Sequence, residues 1–198
     1  MLPVETIEAI FPSSGSVGKL TFNPMTLAHA AAMEALGVSL KDGISADSVL
    51  LCGWILSIKA EDIPSVVRAK NKTSAFAAWC EKNNPDIYEI GPLITEIVNA
   101  GFSTYVPPSE DGNDQKIFSS ESGFGWVLEI AECLCHEYAW TMDIALSTPL
   151  SRAYALMCVA RVRNGGKNGG PDYYGRIQER SASKHFRKMR KERDNGGK

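Results

Sequence analysis

Trp126-Val127-Leu128-Glu129-Ile130-Ala131-Glu132-Cys133-Leu134-Cys135-His136-Glu137-Tyr138 is the stretch that decides the fold class. Val127, Ile130, Leu134 and Tyr138 recur at spacings of three and four, so a helix over 125–138 gathers them onto one apolar stripe. Downstream, Thr141 is placed to cap a short turn of helix through Leu146, and Thr148-Pro149 opens a last long helix to about Arg163. Upstream, residues 103–124 hold two prolines and a Glu-Asp-Gly-Asn-Asp run, the composition of a polar linker.

Before that linker the same reading gives four more helices. Asn23-Pro24 suits a cap and first helical turn for an alanine-rich helix over 25–36, which Gly37 stops. A second helix, over 46–58, is apolar nearly all round and therefore central. The third starts near Asp62, tolerates Pro64 in its first turn, and carries Val66, Val67, Phe76 and Trp79. Pro85-Asp86 opens the fourth, which runs to Gly101 and contains Pro92, a residue that kinks helices. Residues 1–19 read as a loosely docked arm broken by Pro12-Ser13-Ser14-Gly15, and the one strand-like piece is 19–22. The expected fold is all-α, an irregular helical bundle in two halves. Residues 1–102 form the first half, 103–124 the linker, 125–170 a C-terminal helical hairpin, and 171–198 a disordered basic tail.

At 198 residues with 44% hydrophobic and 22% charged side chains, the chain is that of a globular protein. No run of about 18 apolar residues is present, so no membrane span is expected. The Met-Leu-Pro-Val-Glu start lacks a basic segment followed by an apolar block, so no secretory signal is expected either. Five scattered cysteines suit buried thiols in a reducing, cytoplasmic compartment. The net charge of −2 hides an imbalance: residues 176–198 carry nine Lys/Arg against three Asp/Glu, net +6, which leaves −8 elsewhere.

Motifs for chemistry fail on inspection. Gly15-Ser16-Val17-Gly18-Lys19 resembles a phosphate loop, but Ser13 and Leu20 stand where that loop needs glycine and Ser/Thr, leaving a plain flexible loop. Cys133 and Cys135 are two apart and point to different sides of a helix, so they cannot share an ion. Glu129, Glu132 and His136 do share a stripe, opposite the apolar one, but no second Glu-x-x-His helix completes a metal site. Only His29, His136 and His185 are available as bases, and none stands in a catalytic motif. No enzyme, metal or cofactor is expected. Nucleic-acid binding has two supports, the basic run at Lys184, Arg187, Lys188, Arg190 and Lys191 and a helix–turn–helix pattern over 138–163. Against it stand the acidic body and a presumed reading helix that is mostly apolar.

Two stretches carry a family resemblance. One is Leu20-Thr21-Phe22-Asn23-Pro24-Met25-Thr26-Leu27-Ala28-His29, leading to Leu36-Gly37. The other runs from Trp126 through Trp140-Thr141-Met142-Asp143 and Thr148-Pro149-Leu150-Ser151-Arg152-Ala153 to Gly165-Gly166. Together they resemble the helical tail assembly chaperones of long-tailed bacteriophages and prophages. The resemblance implies a non-enzymatic protein that keeps a long, helical tape-measure protein soluble and helps recruit tail subunits. Its partner-binding residues would be Trp126, Tyr138, Trp140 and Arg152, with Trp54 and Trp79 as further anchors if exposed; the other reading is that most of the tryptophans are core. The alternative is a helix-turn-helix or basic-tail nucleic-acid-binding protein of a phage or prophage.

Overall fold

The structure, a computed structural model, describes residues 11–40, 44–102 and 125–163. The linker expected at 103–124, the segment 164–170 and the basic tail at 171–198 lie outside the described residues. Within them the fold is all-α apart from one two-stranded hairpin.

That hairpin corrects the reading of residues 15–19 as a flexible loop in an arm. Strands β1 (Gly15–Val17) and β2 (Leu20–Phe22) pair antiparallel, with Val17 opposite Leu20. Gly18 takes a φ of +58° in the turn, a conformation most side chains resist. Gly15 lies so close to Leu93 that a Cβ there would sit 2.7 Å from Leu93 Cδ1. Glycine is what lets the strand approach that helix.

Helix α1 (Leu27–Ala35) begins two residues later than expected. Its cap is Thr26, whose hydroxyl accepts from the His29 N–H, while the His29 ring accepts from the Thr26 N–H at 3.2 Å. This is a capping box with histidine in the place usually held by Glu or Gln. Asn23, expected as the cap, instead donates its side-chain amide to the carbonyls of Leu56 (2.9 Å) and Ile58 (3.1 Å). At the other end Gly37 has φ +87°, and Val38 N–H returns to the Met33 carbonyl at 2.9 Å. The helix therefore stops at Gly37 as its sequence requires.

A 3-10 turn (Ala46–Ser48) leads into α2 (Val49–Leu56), where Val49, Cys52, Gly53, Trp54, Ile55 and Leu56 are buried. The third expected helix is in fact two, α3 (Ile63–Arg68) and α4 (Lys72–Asn83), separated at Ala69, whose ψ of 134° is extended. Between Val67 and Phe76 the chain reads Arg-Ala-Lys-Asn-Lys-Thr-Ser-Ala and offers no large apolar side chain to hold a continuous helix against the body. Helix α5 (Ile87–Phe102) contains Pro92 and packs along α2 with Ile90, Ile94, Ile97 and Val98 buried.

After the linker come α6 (Trp126–Tyr138), α7 (Met142–Ser147) and α8 (Leu150–Arg163). Val127, Ile130 and Leu134 are buried as their spacing predicts, and Thr141 caps α7 by accepting from Ile144 N–H. Ala139, at φ +53°, makes the left-handed turn between α6 and α7. Residues on both sides of the linker share a single apolar core. A short bridge reinforces it: Leu27 N–H donates to the Thr148 carbonyl, and Leu150 N–H donates to the Met25 carbonyl at 2.8 Å.

Candidate functional site

Of the expected partner residues, Trp126 and Tyr138 fall on α6, Arg152 on α8 and Trp140 in the turn between α6 and α7, and the structure gives them different work. Trp126, at the start of α6, is half-buried. Its Nε1–H donates to Glu34 Oε1 on α1 at 2.6 Å, and its ring stacks on Tyr154 of α8, 6.4 Å between centroids. Phe102, at the end of α5, adds a tilted contact at 5.9 Å. One indole thus ties four helices together, so much of its apolar surface is already spent inside the molecule.

Tyr138 and Trp140 form a second aromatic group, 5.6 Å between ring centroids and both partly exposed. The Tyr138 hydroxyl donates to the Leu156 carbonyl at 2.8 Å. The Arg163 guanidinium lies over the Tyr138 ring at 5.9 Å, a cation–π arrangement at the end of α8. Burial raises the Tyr138 hydroxyl pKa, with Glu137 and Cys133 adding to the rise and Arg163 opposing it. Arg152 is exposed and lines an open depression of about 360 Å³ with Asp143, Ile144, Ser147, Thr148 and Pro149. The four expected partner residues do not converge in that depression; Arg152 alone lines it.

Apolar side chains other than the expected partner residues also remain outside. Leu128 of α6, Met142 and Ile144 of α7, and Val159 of α8 are 39–50% exposed; Phe11 is the other large apolar side chain so exposed among the described residues. Leu128 and Val159 sit just off the buried stripes of their helices, a position readable from periodicity. Met142 and Ile144 lie on a helix too short to show a period.

The other expected tryptophans are part of the body. Trp54 is buried in α2 with the Phe76 ring at 5.5 Å, and Trp79 is half-buried on α4. On α8, expected in one reading to enter a DNA groove, Leu150, Ser151, Ala153, Tyr154, Met157 and Ala160 are all buried. The face left to solvent includes Arg152, Val159 and Arg163. The basic residues Lys184, Arg187, Lys188, Arg190 and Lys191 lie outside the described residues.

Reactive groups are dispersed. Glu132 and His136 are exposed, Glu129 is half-buried, and no cluster of three or more His, Cys, Asp or Glu among the described residues is arranged to hold a metal ion. Burial pushes the Cys52 thiol up to about 12, and raises Cys133 with help from Glu137 and Glu132. High thiol pKa values disfavour the thiolate that nucleophilic catalysis needs. His29 is fully buried. Its Nδ1 lies 2.7 Å from Thr26 Oγ1 and its Nε2 lies 2.8 Å from the Ile58 carbonyl. The Ile58 carbonyl can only accept, so the proton sits on Nε2 and Nδ1 is the acceptor for Thr26. Burial lowers the His29 pKa, partly offset by the Ile58 bond. Both ring nitrogens are occupied in fixing the backbone, which leaves neither to act on a substrate.

Among the described residues no helix is long and apolar enough to cross a membrane. Compared with protein families, curated proteins and solved structures, the chain matches none of them.

Proposed function

We propose that this chain is a non-enzymatic assembly chaperone of the phage-tail kind, acting in the host cytoplasm. It holds amphipathic helical segments of a long tape-measure-like partner in solution and helps recruit tail subunits. The observation that carries the reading is where the apolar surface lies. Leu128, Met142, Ile144 and Val159 are exposed on the same three helices, α6 to α8, whose sequence bears the resemblance. Apolar side chains displayed on a rigid helical scaffold suit helix-in-groove recognition. The buried Cys52 thiol and the fully engaged His29 fit a role without chemistry, although the other four cysteines, expected to be buried, are half-buried.

Co-expression with the long helical tail protein of the same gene cluster tests this. The partner should become soluble and co-purify at high salt, because apolar contacts survive screening. Ile144→Asp together with Val159→Asp should abolish co-purification while leaving helicity intact. Absence of a complex, with a DNA fragment shifted at low salt only, would transfer the function to the basic tail as a nucleic-acid binder.

A further inference from the structure

We infer that α4 is a displaceable cover, and that the surface beneath it receives an amphipathic helix of the partner carrying two aromatic residues three positions apart. The inference rests on the assembly reading and adds a second site, apart from the exposed apolar side chains of α6 to α8, and the chemistry of the segment it takes.

Helix α4 is twelve residues long and none of them is buried. It leans on α2 and α3 through Phe76, whose ring lies 5.5 Å from that of Trp54, and through the half-buried Trp79. Its start is poorly made: Asn71 provides no side-chain cap, the first turn holds no acidic residue, and Lys72 places a positive charge at the positive end of the helix dipole. The helix is bounded by non-helical residues on both sides. Ala69 is extended, and Asn84 sits in the left-handed region at φ +42° just before Pro85. The preceding helix α3 is different, because Ile63 roots it in the core. A segment with these features opens at low cost while the rest of the fold stays intact.

What lies beneath has a defined preference, because α4 itself displays it. The site holds a helix by Phe76, whose ring meets Trp54, a residue only 5% exposed in the closed form, and by Trp79, which packs half-buried against the core. A long helical partner that offers the same pair on one face competes with α4 for that seat. Since α4 is tethered, the competitor must bind the open state more tightly than α4 does, and a partner with many such segments gains by avidity. In solution α4 closed over Trp54 keeps the aromatic surface covered until a partner arrives.

The first measurement is hydrogen exchange by mass spectrometry on the full-length protein. Amides of α4 should exchange at least about 100-fold faster than those of α2 and α5, as expected for local opening. Equal protection overturns the proposal. The second uses a labelled synthetic peptide of residues 70–84 as the probe. It should bind the Phe76→Ala/Trp79→Ala variant at least tenfold more tightly than the native protein, and a peptide with both aromatics replaced by alanine should bind neither. Binding that is equal for both proteins, or absent from a variant whose α2 and α5 amides keep their native protection, overturns it. If the variant fails to fold, the exchange measurement on the native protein decides. In the complex with the long partner, α4 should lose its remaining protection. A complex in which α4 stays protected leaves the assembly reading standing and overturns the displacement.

Discussion

Helices α2 and α4 touch through Trp54 and Phe76, yet they belong to different energetic classes. Eight residues of α2 bury six, while twelve residues of α4 bury none. The carbonyls at and just beyond the end of α2 are held as well, with Leu56 and Ile58 receiving Asn23 and Ile58 also receiving His29. At the end of α4 the bond to the Trp79 carbonyl comes from the helix's own Asn83. Helical structure alone therefore says little about stability. What matters is the apolar area a helix removes from water and the long-range bonds that fix its ends.

The largest expected effect uses cysteines already present in the two helices. Cys52 of α2 is fully buried with its thiol pushed up to about 12, whereas Cys80 of α4 is half-buried and raised less. With a thiol reagent at pH 8, Cys52 reacts only when the core opens. For a domain of ordinary stability, that makes it at least about 10³-fold slower than Cys80. Peptide mapping of a labelling time course reads the ratio, and denaturant should erase it. Similar native rates at the two sites would remove the distinction between the helices.

Next in size is Ile55→Ala in α2. Ile55 is fully buried, and truncating such a residue costs about 2–5 kcal/mol through lost transfer energy and the cavity left behind. Urea unfolding checks it. A loss under about 0.5 kcal/mol would mean that α2 sits at a surface.

How much of this was legible in the sequence follows the range of the interactions involved. The stripe of Val127, Ile130 and Leu134, the stop at Gly37, and the Thr141 cap are local patterns, and the structure follows them. Features that depend on distant partners were not readable. Asn23 has the chemistry of a cap, yet its amide finds carbonyls 33 and 35 residues away. Thr26 and His29 escaped notice because a capping box ordinarily shows Glu or Gln at its third position. The strand at Gly15–Val17 depends on Leu93 receiving a residue without a Cβ. For the candidate site, Trp126 was visible as a large aromatic beside a core stripe. Its seat among Glu34, Phe102 and Tyr154 is made by three other helices and has no local signature.

The His29 clamp sharpens the contrast through pH. Its pKa is lowered below the ordinary 6.5 by burial, so the unfolded chain binds the proton first. The stabilisation is complete above pH 6.5 and is lost as pH falls toward the folded-state pKa, with a slope of up to about 1.4 kcal/mol per pH unit. A protonated Nδ1 would in addition face the Thr26 N–H, donor against donor. Unfolding free energy measured between pH 7.5 and 5 should fall for the native protein. The decline should be shallower for His29→Gln, which is weaker throughout. Parallel curves for the two proteins would show that His29 does not titrate in folding.

The smallest effect belongs to α4. Phe76→Ala removes an aromatic ring that packs on Trp54, and in a core such a change costs about 3–5 kcal/mol. Here the cost has a ceiling. Once the substitution weakens α4 beyond its own docking free energy, the helix undocks and the rest of the protein no longer registers the loss. No buried residue of α4 leaves a cavity behind. Global stability should therefore fall by under about 1.5 kcal/mol, while exchange of the α4 amides rises to the rate of open chain. The equivalent truncation at Ile55 has no such ceiling, because α2 cannot leave without taking Phe22, Ile90 and Ile94 with it: all three lie within 4 Å of the position a Cβ would take on Gly53. A loss of 3 kcal/mol or more from Phe76→Ala would show that α4 unfolds together with the core. The two helices would then form one cooperative unit, whatever their difference in burial.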